Sequence, residues 1–162
     1  MNGSRSASAQ AMVDAVAQRS GLEPETAGAA TTLVVAFAVT HLTAHHVKIL
    51  RSCIRELDEL AEEGRVRADD ITAGRLETDR ATLAGRFLST VGGFVGGRDG
   101  GVVAATTTLV GQLGRLGLDG GDMRKLGEAM VAETRLRTGP AYVDTMLARV
   151  RAKIPVLGSY LG

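Results

Sequence analysis

The sequence has very few aromatic residues and a single cysteine. Among its 162 residues there is no tryptophan, and the rings are limited to three phenylalanines and two tyrosines. A core with so few rings has to be filled by alanine, valine and leucine, and such small side chains let helix axes approach closely. One cysteine, Cys53, excludes an intrachain disulfide bond, which is typical of a reducing compartment.

The sequence also has no large net charge and no recognisable secretory leader segment at its start. The 19 basic and 18 acidic residues give a formal net charge of +1, so no overall charge attracts nucleic acid or acidic partners. The N-terminal stretch MNGSRSASAQ has one arginine and no apolar run behind it, unlike a secretory signal. We therefore expect a cytoplasmic protein with one helical domain over residues 1–162, disorder over residues 1–7, and no cofactor or nucleic-acid partner.

The alternating apolar pattern of β-strands is absent, whereas apolar residues recur at helical spacing. This pattern predicts an all-α fold, a bundle of five to six helices around one long central helix. The first helix is predicted from about Ser8 to Ser20, with Gly21 as a left-handed C-terminal residue. Later helices are predicted from Gly101 to about Leu116, from Asp122 to Arg137 and from Pro140 to Ile154.

The long central helix is predicted to begin at Pro24 and to continue to Glu63. No proline interrupts this segment after its start, and Gly64 offers a stop. A helix of about 40 residues would span about 60 Å. The alternative is a break between Thr40 and Thr43, because β-branched residues lower helix propensity there.

Two later segments are interpreted from their glycines and acids. GRVRADDI, residues 64–71, is interpreted as a polar connection in which Asp69 or Asp70 caps a third helix.

The segment VGGFVGGRDGG, residues 91–101, has glycine at every fourth position in two overlapping series, which on a helix would form a groove for close packing. The alternative is a flexible connection, since each interior glycine costs about 1 kcal/mol relative to alanine. We expect the helix to end within this stretch, with close helix packing at Gly92, Gly93, Gly96 and Gly97.

All three histidines and the cysteine lie in one stretch, AVTHLTAHHVKILRSC, residues 38–53. On a single helix, His46 and Cys53 would point with the leucines, whereas His41 and His45 would lie toward the polar side. These four side chains could not converge on one ion, and a zinc site needs at least one further protein ligand beyond a histidine pair. We interpret His46 as a core or interface histidine with hydroxyl or backbone partners, and Cys53 as a small buried hydrophobe.

The apolar face of the long helix predicts self-association. A helix of this length overhangs a single domain, so its exposed apolar stripe needs a partner. We therefore predict a homo-oligomer, either a dimer through the long helix or a higher assembly. The predicted interface residues are Leu42, His46, Ile49, Cys53, Leu57 and Leu60.

The opening segment AMVDAVAQRSGLEPETA resembles the first helical hairpin of bacterial HU-type histone-like proteins, over about 30 residues. Those proteins continue into basic β-arms that clasp DNA, and no segment of this sequence matches the arms. The net charge gives DNA binding no support. We interpret the resemblance as a shared way of building a helical hairpin.

Two turns in the sequence are also similar to each other. RSGLEPET at residues 19–26 and RLGLDGGD at residues 115–122 share the order arginine, any residue, glycine, leucine, acid. One interpretation is a duplicated helical hairpin. The other is that helix ends commonly use glycine and helix starts commonly use acids, so that such turns look alike.

A membrane-spanning segment is one alternative for the middle of the chain. No charged residue lies between Glu25 and Lys48, a length that could cross a bilayer. Histidines and threonines dilute this segment, and its densest apolar run, LVVAFAV, has seven residues. A bundle helix surrounded by neighbours is therefore the preferred interpretation.

No nucleophile motif, paired acids on a shared face or cofactor fingerprint is found, so we expect no enzyme activity and assign no catalytic residue. The leading hypothesis is a non-enzymatic interaction or scaffold protein that acts through oligomerisation and helix surfaces, with itself or another protein as partner. The first alternative is a membrane-associated protein that inserts its small-residue helices. The second is a metal-binding helical protein that uses His41 and His45.

Overall fold

The computed structural model describes residues 5–72 and 100–153, which form seven α-helices and no strand. The helices are α1 Ala7–Ser20, α2 Pro24–His41, α3 Ala44–Cys53, α4 Leu57–Thr72, α5 Gly100–Arg115, α6 Gly120–Thr138 and α7 Pro140–Lys153. The all-α prediction is confirmed, with more helices than the five or six expected. The predicted packing glycines Gly92, Gly93, Gly96 and Gly97 lie outside the described residues.

The prediction of one long central helix from Pro24 to Glu63 is wrong, because the segment forms parts of three helices. The chain first leaves the helix at Leu42, which is extended at φ −70° and ψ 156°. The Thr43 hydroxyl then accepts the backbone N–H of His46 and begins α3, so a threonine acts as a cap where the sequence offered either a continuous helix or a break. A second extended residue, Ile54, ends α3 and is buried at 2% exposure. The two breaks let α4 pack along α2 instead of extending away from it.

The segment GRVRADDI is helical, so its interpretation as a connection is also wrong. Helix α4 continues through Gly64, and Asp69 and Asp70 lie inside it rather than capping another helix. A Cβ atom at Gly64 would lie 1.9 Å from the carbonyl oxygen of Thr32 and 2.8 Å from the Cβ atom of Ala36. Only glycine therefore allows α4 to approach the backbone of α2 at this point.

The helix ends on either side of the two similar turns were predicted correctly. Gly21 closes α1 at φ 68°, and Gly117 lies between α5 and α6 at φ 95°, conformations that favour glycine. The Glu23 side chain caps the start of α2 by accepting two backbone N–H groups. The Asp119 side chain caps α6 by accepting the backbone N–H of Asp122, and the Asp122 carboxylate accepts the backbone N–H of Asp119, which completes a capping box.

Helix α2 lies at the centre of the packing. It contacts α1, α4, α5 and α6, and its residues Leu33 and Val35 belong to two groups of buried apolar side chains. The first group joins α2 to α5 and α6 through Leu113 and Leu126. The second joins α2 to α1, α3 and α4. The central helix thus has 18 residues, not about 40.

Ion pairs connect segments that are far apart in the sequence. The predicted disorder covers residues 1–7, of which residues 1–4 lie outside the described residues. Of the remainder, the Ser6 side chain caps α1, and Arg5 pairs with Glu63 at 2.6 Å. Glu56, with 4% of its surface exposed, pairs with Arg137 of α6 at 2.5 Å. These contacts fix both α1 and α6 against the segment around α4.

Candidate ligand-binding cavity

A cavity of about 620 Å³ is lined mainly by α2, α3, α5, α6 and α7, and Met12 of α1 and Leu57 of α4 also contribute to its wall. This volume is in the range of about 300–1,000 Å³ that is typical of small-molecule sites. Each of the five helices contributes large apolar side chains, among them Phe37, Leu50, Leu113, Leu126 and Leu147. Because the wall is mainly apolar, the favourable ligand is a molecule with substantial apolar surface.

All four methionines of the described residues contribute to the wall of this cavity, namely Met12, Met123, Met130 and Met146. The first two are buried and the other two are half-buried. Methionine side chains are unbranched and polarizable, so they adapt to irregular spaces and to different bound shapes. This part of the wall can therefore rearrange around a ligand without moving the helices.

A polar group stands at one end of the cavity, where α3 meets α7. The buried ring of His46 and the exposed side chain of Arg149 belong to the wall. The Nδ1 atom of His46 lies 2.9 Å from the hydroxyl oxygen of Tyr142, and its Nε2 atom lies 3.5 Å from an Nη1 atom of Arg149. The tyrosine hydroxyl also lies 3.3 Å from the backbone carbonyl oxygen of His46.

One assignment of protons satisfies all these contacts. The Tyr142 hydroxyl donates to the carbonyl oxygen of His46 and accepts from the Nδ1–H group of its ring. The Nε2 atom of His46 then has a lone pair and accepts from the Arg149 guanidinium. In this arrangement the imidazole is neutral and holds the arginine at the cavity wall.

The surroundings of His46 favour this neutral form. Burial lowers the pKa of His46 below its ordinary value, and the positive charges of Arg149 and His45 lower this pKa further. Burial also raises the pKa of Tyr142, so its hydroxyl remains protonated at neutral pH. Arg149 therefore supplies the positive charge in this group at neutral pH.

Arg149 differs from the arginines of the neighbouring helix. Arg135 and Arg137 of α6 are paired with Asp144 and Glu56 respectively, each at 2.5 Å. Among the residues that the structure describes, no carboxylate lies within ion-pair distance of Arg149. Its guanidinium contacts only the His46 ring there, and four of its five N–H groups are available for another acceptor.

The histidines predicted as metal candidates, His41 and His45, are not part of a ligand cluster among the described residues. His41 ends α2, His45 lies in α3, and both are exposed. The ring of His41 packs on Phe37 with 4.7 Å between ring centroids. Within residues 5–72 and 100–153, no three histidine, cysteine or acidic side chains gather as metal ligands would.

Two interpretations of single residues have different outcomes. The prediction that His46 has a hydroxyl or backbone partner is confirmed by its contacts with Tyr142. The interpretation of Cys53 as a buried hydrophobe is wrong, because it lies exposed at the end of α3. The extended residue Ile54 takes the buried position instead.

The six predicted interface residues do not lie on one helix. The continuous apolar stripe from which the homo-oligomer interface was predicted is therefore not present. Leu57 and Leu60 are buried in the chain's own core beside Ile54. The half-buried Leu42 and the buried His46 line the cavity, while Ile49 is half-buried and Cys53 exposed. That these residues form a homo-oligomer interface stays a prediction.

No protein-family model, curated protein or solved structure was found that matches this chain. The chemistry of the cavity therefore has to be inferred from its own residues. The helical spacing of apolar residues in the sequence gave no sign that a cavity lies between the helices. The pairing of His46 with Tyr142, 96 positions apart, had no signal in the sequence.

Proposed function

We propose that this protein is a non-enzymatic binding protein that holds an apolar small molecule in the cavity between α2, α3, α5, α6 and α7. The observation that carries the proposal is the 620 Å³ cavity with mainly apolar walls that the helices enclose in part. Transfer of an apolar surface from water into such a site gains about 25 cal/mol per Å². A ligand that fills the cavity also restores the dispersion contacts that the wall residues lack around an open space.

The composition of the wall supports binding over chemistry. Leucine, valine and methionine dominate it, and these side chains neither donate nor transfer protons. The polar group at the α3–α7 end has a histidine but no carboxylate among its described members. This proposal departs from the scaffold role expected from the sequence, in which the partner was the protein itself or another protein, because it names a small molecule as the partner.

The other functions expected from the sequence gain less support. A metal-binding role would need a third ligand beside His41 and His45, and the described residues hold no such cluster. In the part of the chain that the structure describes, no helix combines the length and apolarity that a bilayer crossing needs. Self-association remains a separate proposal, which light scattering over a range of protein concentrations tests directly.

Titration with a neutral fluorescent probe, N-phenyl-1-naphthylamine, tests the proposed binding. We expect the probe's emission to rise and to saturate at one molecule per chain, because a volume of about 620 Å³ is in the range of sites that hold a single small molecule. A neutral probe is used so that binding does not depend on the charges near Arg149. Emission that rises without saturation, or that does not rise, would contradict the proposal.

A pair of matched variants locates the probe. Ala38 lies in the cavity wall, so Ala38→Phe fills part of the cavity and should weaken probe binding about tenfold or more. Ala11 is exposed on α1, so Ala11→Phe adds the same ring outside the cavity and should leave the affinity unchanged. Thermal unfolding of both variants checks that each still folds. Equal probe affinity in two folded variants would place the probe elsewhere and overturn the proposal.

A further inference from the structure

We propose that the ligand is an aliphatic carboxylate whose acid group is bound by Arg149, with its hydrocarbon tail in the cavity. This inference rests on the proposed function and names the chemical class of its ligand. It starts from the contrast between an apolar wall and one cationic group placed at its edge. Such a contrast matches a molecule that is apolar along its length and anionic at one end.

The charge at this edge has no acidic partner among the described residues. Arg149 contacts the neutral ring of His46, whereas Arg135 and Arg137 on the neighbouring helix are paired with carboxylates. A guanidinium binds a carboxylate through two parallel N–H groups, an arrangement for which Arg149 has enough donors left. An anionic end group would therefore be recognised here and a cationic one repelled.

His46 and Tyr142 act as positioning residues for this arginine. The Tyr142 hydroxyl holds the imidazole through two contacts, at 2.9 Å to Nδ1 and 3.3 Å to the backbone carbonyl oxygen. The Nε2 atom of the ring then accepts from Nη1 of Arg149. A long side chain that would otherwise move freely in solvent is thereby directed along the cavity wall, which reduces the entropy lost on binding.

The shape of the wall favours an aliphatic tail over a planar ring system. Among the described wall residues, Phe37 is the one carbocyclic ring, and leucine, valine and methionine provide most of the surface. Methionine and leucine side chains follow a flexible chain, whereas flat ligands are usually held between aromatic side chains. A volume of about 620 Å³ suits a single molecule of moderate length.

Competition against the bound neutral probe tests this inference with three ligands of equal chain length: decanoate, decanol and decyltrimethylammonium. In the wild-type protein we expect decanoate to bind about ten- to hundredfold more tightly than decanol, the range expected for hydrogen bonds to a charged group. The ammonium ligand should bind more weakly than the alcohol. The measurements are made at low ionic strength, because salt screens an exposed arginine.

Two arginine variants on the same helix assign the effect. Arg149→Met should remove the preference for decanoate and leave the affinity for decanol unchanged. Arg151→Met is the matched control, since it removes the same charge two positions along α7 from an exposed residue that is not among the described wall residues. The control should keep the wild-type preference.

The outcomes separate this inference from the proposed function. Equal affinities for decanoate and decanol would overturn the carboxylate while leaving an apolar ligand in place. A preference for decanoate that survives in Arg149→Met would overturn the assignment to this arginine. If no ligand displaces the bound probe, the aliphatic carboxylate is excluded, whereas failure of the probe itself to bind would exclude the apolar binding role.

Discussion

The two faces of α2 pack in opposite ways. With about 100° per residue, Thr32 and Ala36 lie within about 40° of each other, while Phe37, Ala38 and His41 lie about 140–240° from Thr32. The first face meets α4 so closely that a Cβ atom at Gly64 would overlap the Thr32 carbonyl group. The second face lines the cavity. One helix thus separates a region of backbone contact from a region that can admit a ligand.

The close packing on one side of α2 and the cavity on the other follow from the size of the side chains and from whether buried polar groups find hydrogen-bond partners within their own helix. On the α4 side, the buried hydroxyl of Thr32 donates to the backbone carbonyl oxygen of Ala29 in its own helix, so close contact with α4 does not leave this hydroxyl unpaired. On the cavity side, large flexible side chains meet across a gap. We call the α4-facing side of α2, with Thr32 and Ala36, the tight face, and its cavity-facing side, with Phe37, Ala38 and His41, the loose face. The comparison indicates that the tight face sets the positions of the helices, whereas the side chains at the loose face are free to rearrange.

The largest expected effect is at the tight face. Gly64→Leu should destabilise the protein by more than about 4 kcal/mol, because any Cβ atom there overlaps the α2 backbone and forces the helices apart. Urea denaturation followed by circular dichroism measures the change. Gly120→Leu is the matched control, since a Cβ atom at Gly120 meets nothing within 4 Å. Equal stability of the two variants would show that α2 and α4 do not touch at Gly64.

The next largest effect is expected where α6 meets the start of α4. Among the described residues, Arg137→Met leaves the buried Glu56 carboxylate with the Ser8 hydroxyl as its one side-chain partner, and the substitution should cost about 3 kcal/mol of unfolding free energy. Arg124→Met breaks the exposed pair with Glu128 on the same helix and should cost less than about 0.5 kcal/mol. Urea denaturation of both variants gives the comparison. A cost for Arg137→Met no larger than that of its control would mean that Glu56 is not held in the interior.

A smaller effect on the unfolding free energy is expected at the polar end of the cavity, where His46 lies. Because the pKa of His46 is lowered in the folded protein, the unfolded chain binds more protons near pH 6, and stability falls as pH decreases through the unfolded pKa of about 6.5. His46→Gln should reduce this fall between pH 7.5 and pH 5. The unfolding free energies of wild type and variant over this interval provide the measurement.

The lower limit of pH 5 keeps carboxylates out of that comparison. The pKa values of Asp58 and Glu59 are lowered by hydrogen bonds from Arg51 and Ser6 respectively, so their contribution is lost only at more acid pH. His41→Gln serves as a control on an exposed histidine. Identical pH dependence in wild type and His46→Gln would contradict the buried neutral imidazole.

The smallest effect on stability is expected at Cys53. This residue is exposed, so Cys53→Ser should change the unfolding free energy by less than about 0.5 kcal/mol. In the native wild type, its thiol should react with Ellman's reagent as fast as the thiol of the urea-unfolded chain. Slow labelling in the monomer would restore the buried position expected from the sequence. Labelling that slows only as protein concentration rises would support self-association through α3.

Local signals in the sequence predicted most of the helices. Gly21, Pro24, Asp122 and Pro140 lie at or near helix ends because their backbone preferences act within a few residues. The same reasoning failed at Gly64, where glycine serves contact with a helix about 30 positions earlier in the chain. A helix stop and a close helix crossing both favour glycine, and only the fold distinguishes them.

The breaks around α3 show a second limit of local reasoning. Thr43 can continue a helix or cap one, and Ile54 gains burial only if the chain turns there. The candidate site is formed by contacts between residues that are distant in the sequence. His46 was expected to have a polar partner, but its partners Tyr142 and Arg149 come from α7, whose position against α3 no local pattern specifies.

Methionine methyl resonances test ligand binding at the loose face of α2 most directly. With ¹³C-methyl methionine, titration with decanoate should shift the signals of Met12, Met123, Met130 and Met146 along one saturation curve, because all four line the cavity. In Ala38→Phe the same titration should produce much smaller shifts. Methionine signals that stay fixed while decanoate binds, or that shift without saturating, would contradict a ligand site between these helices.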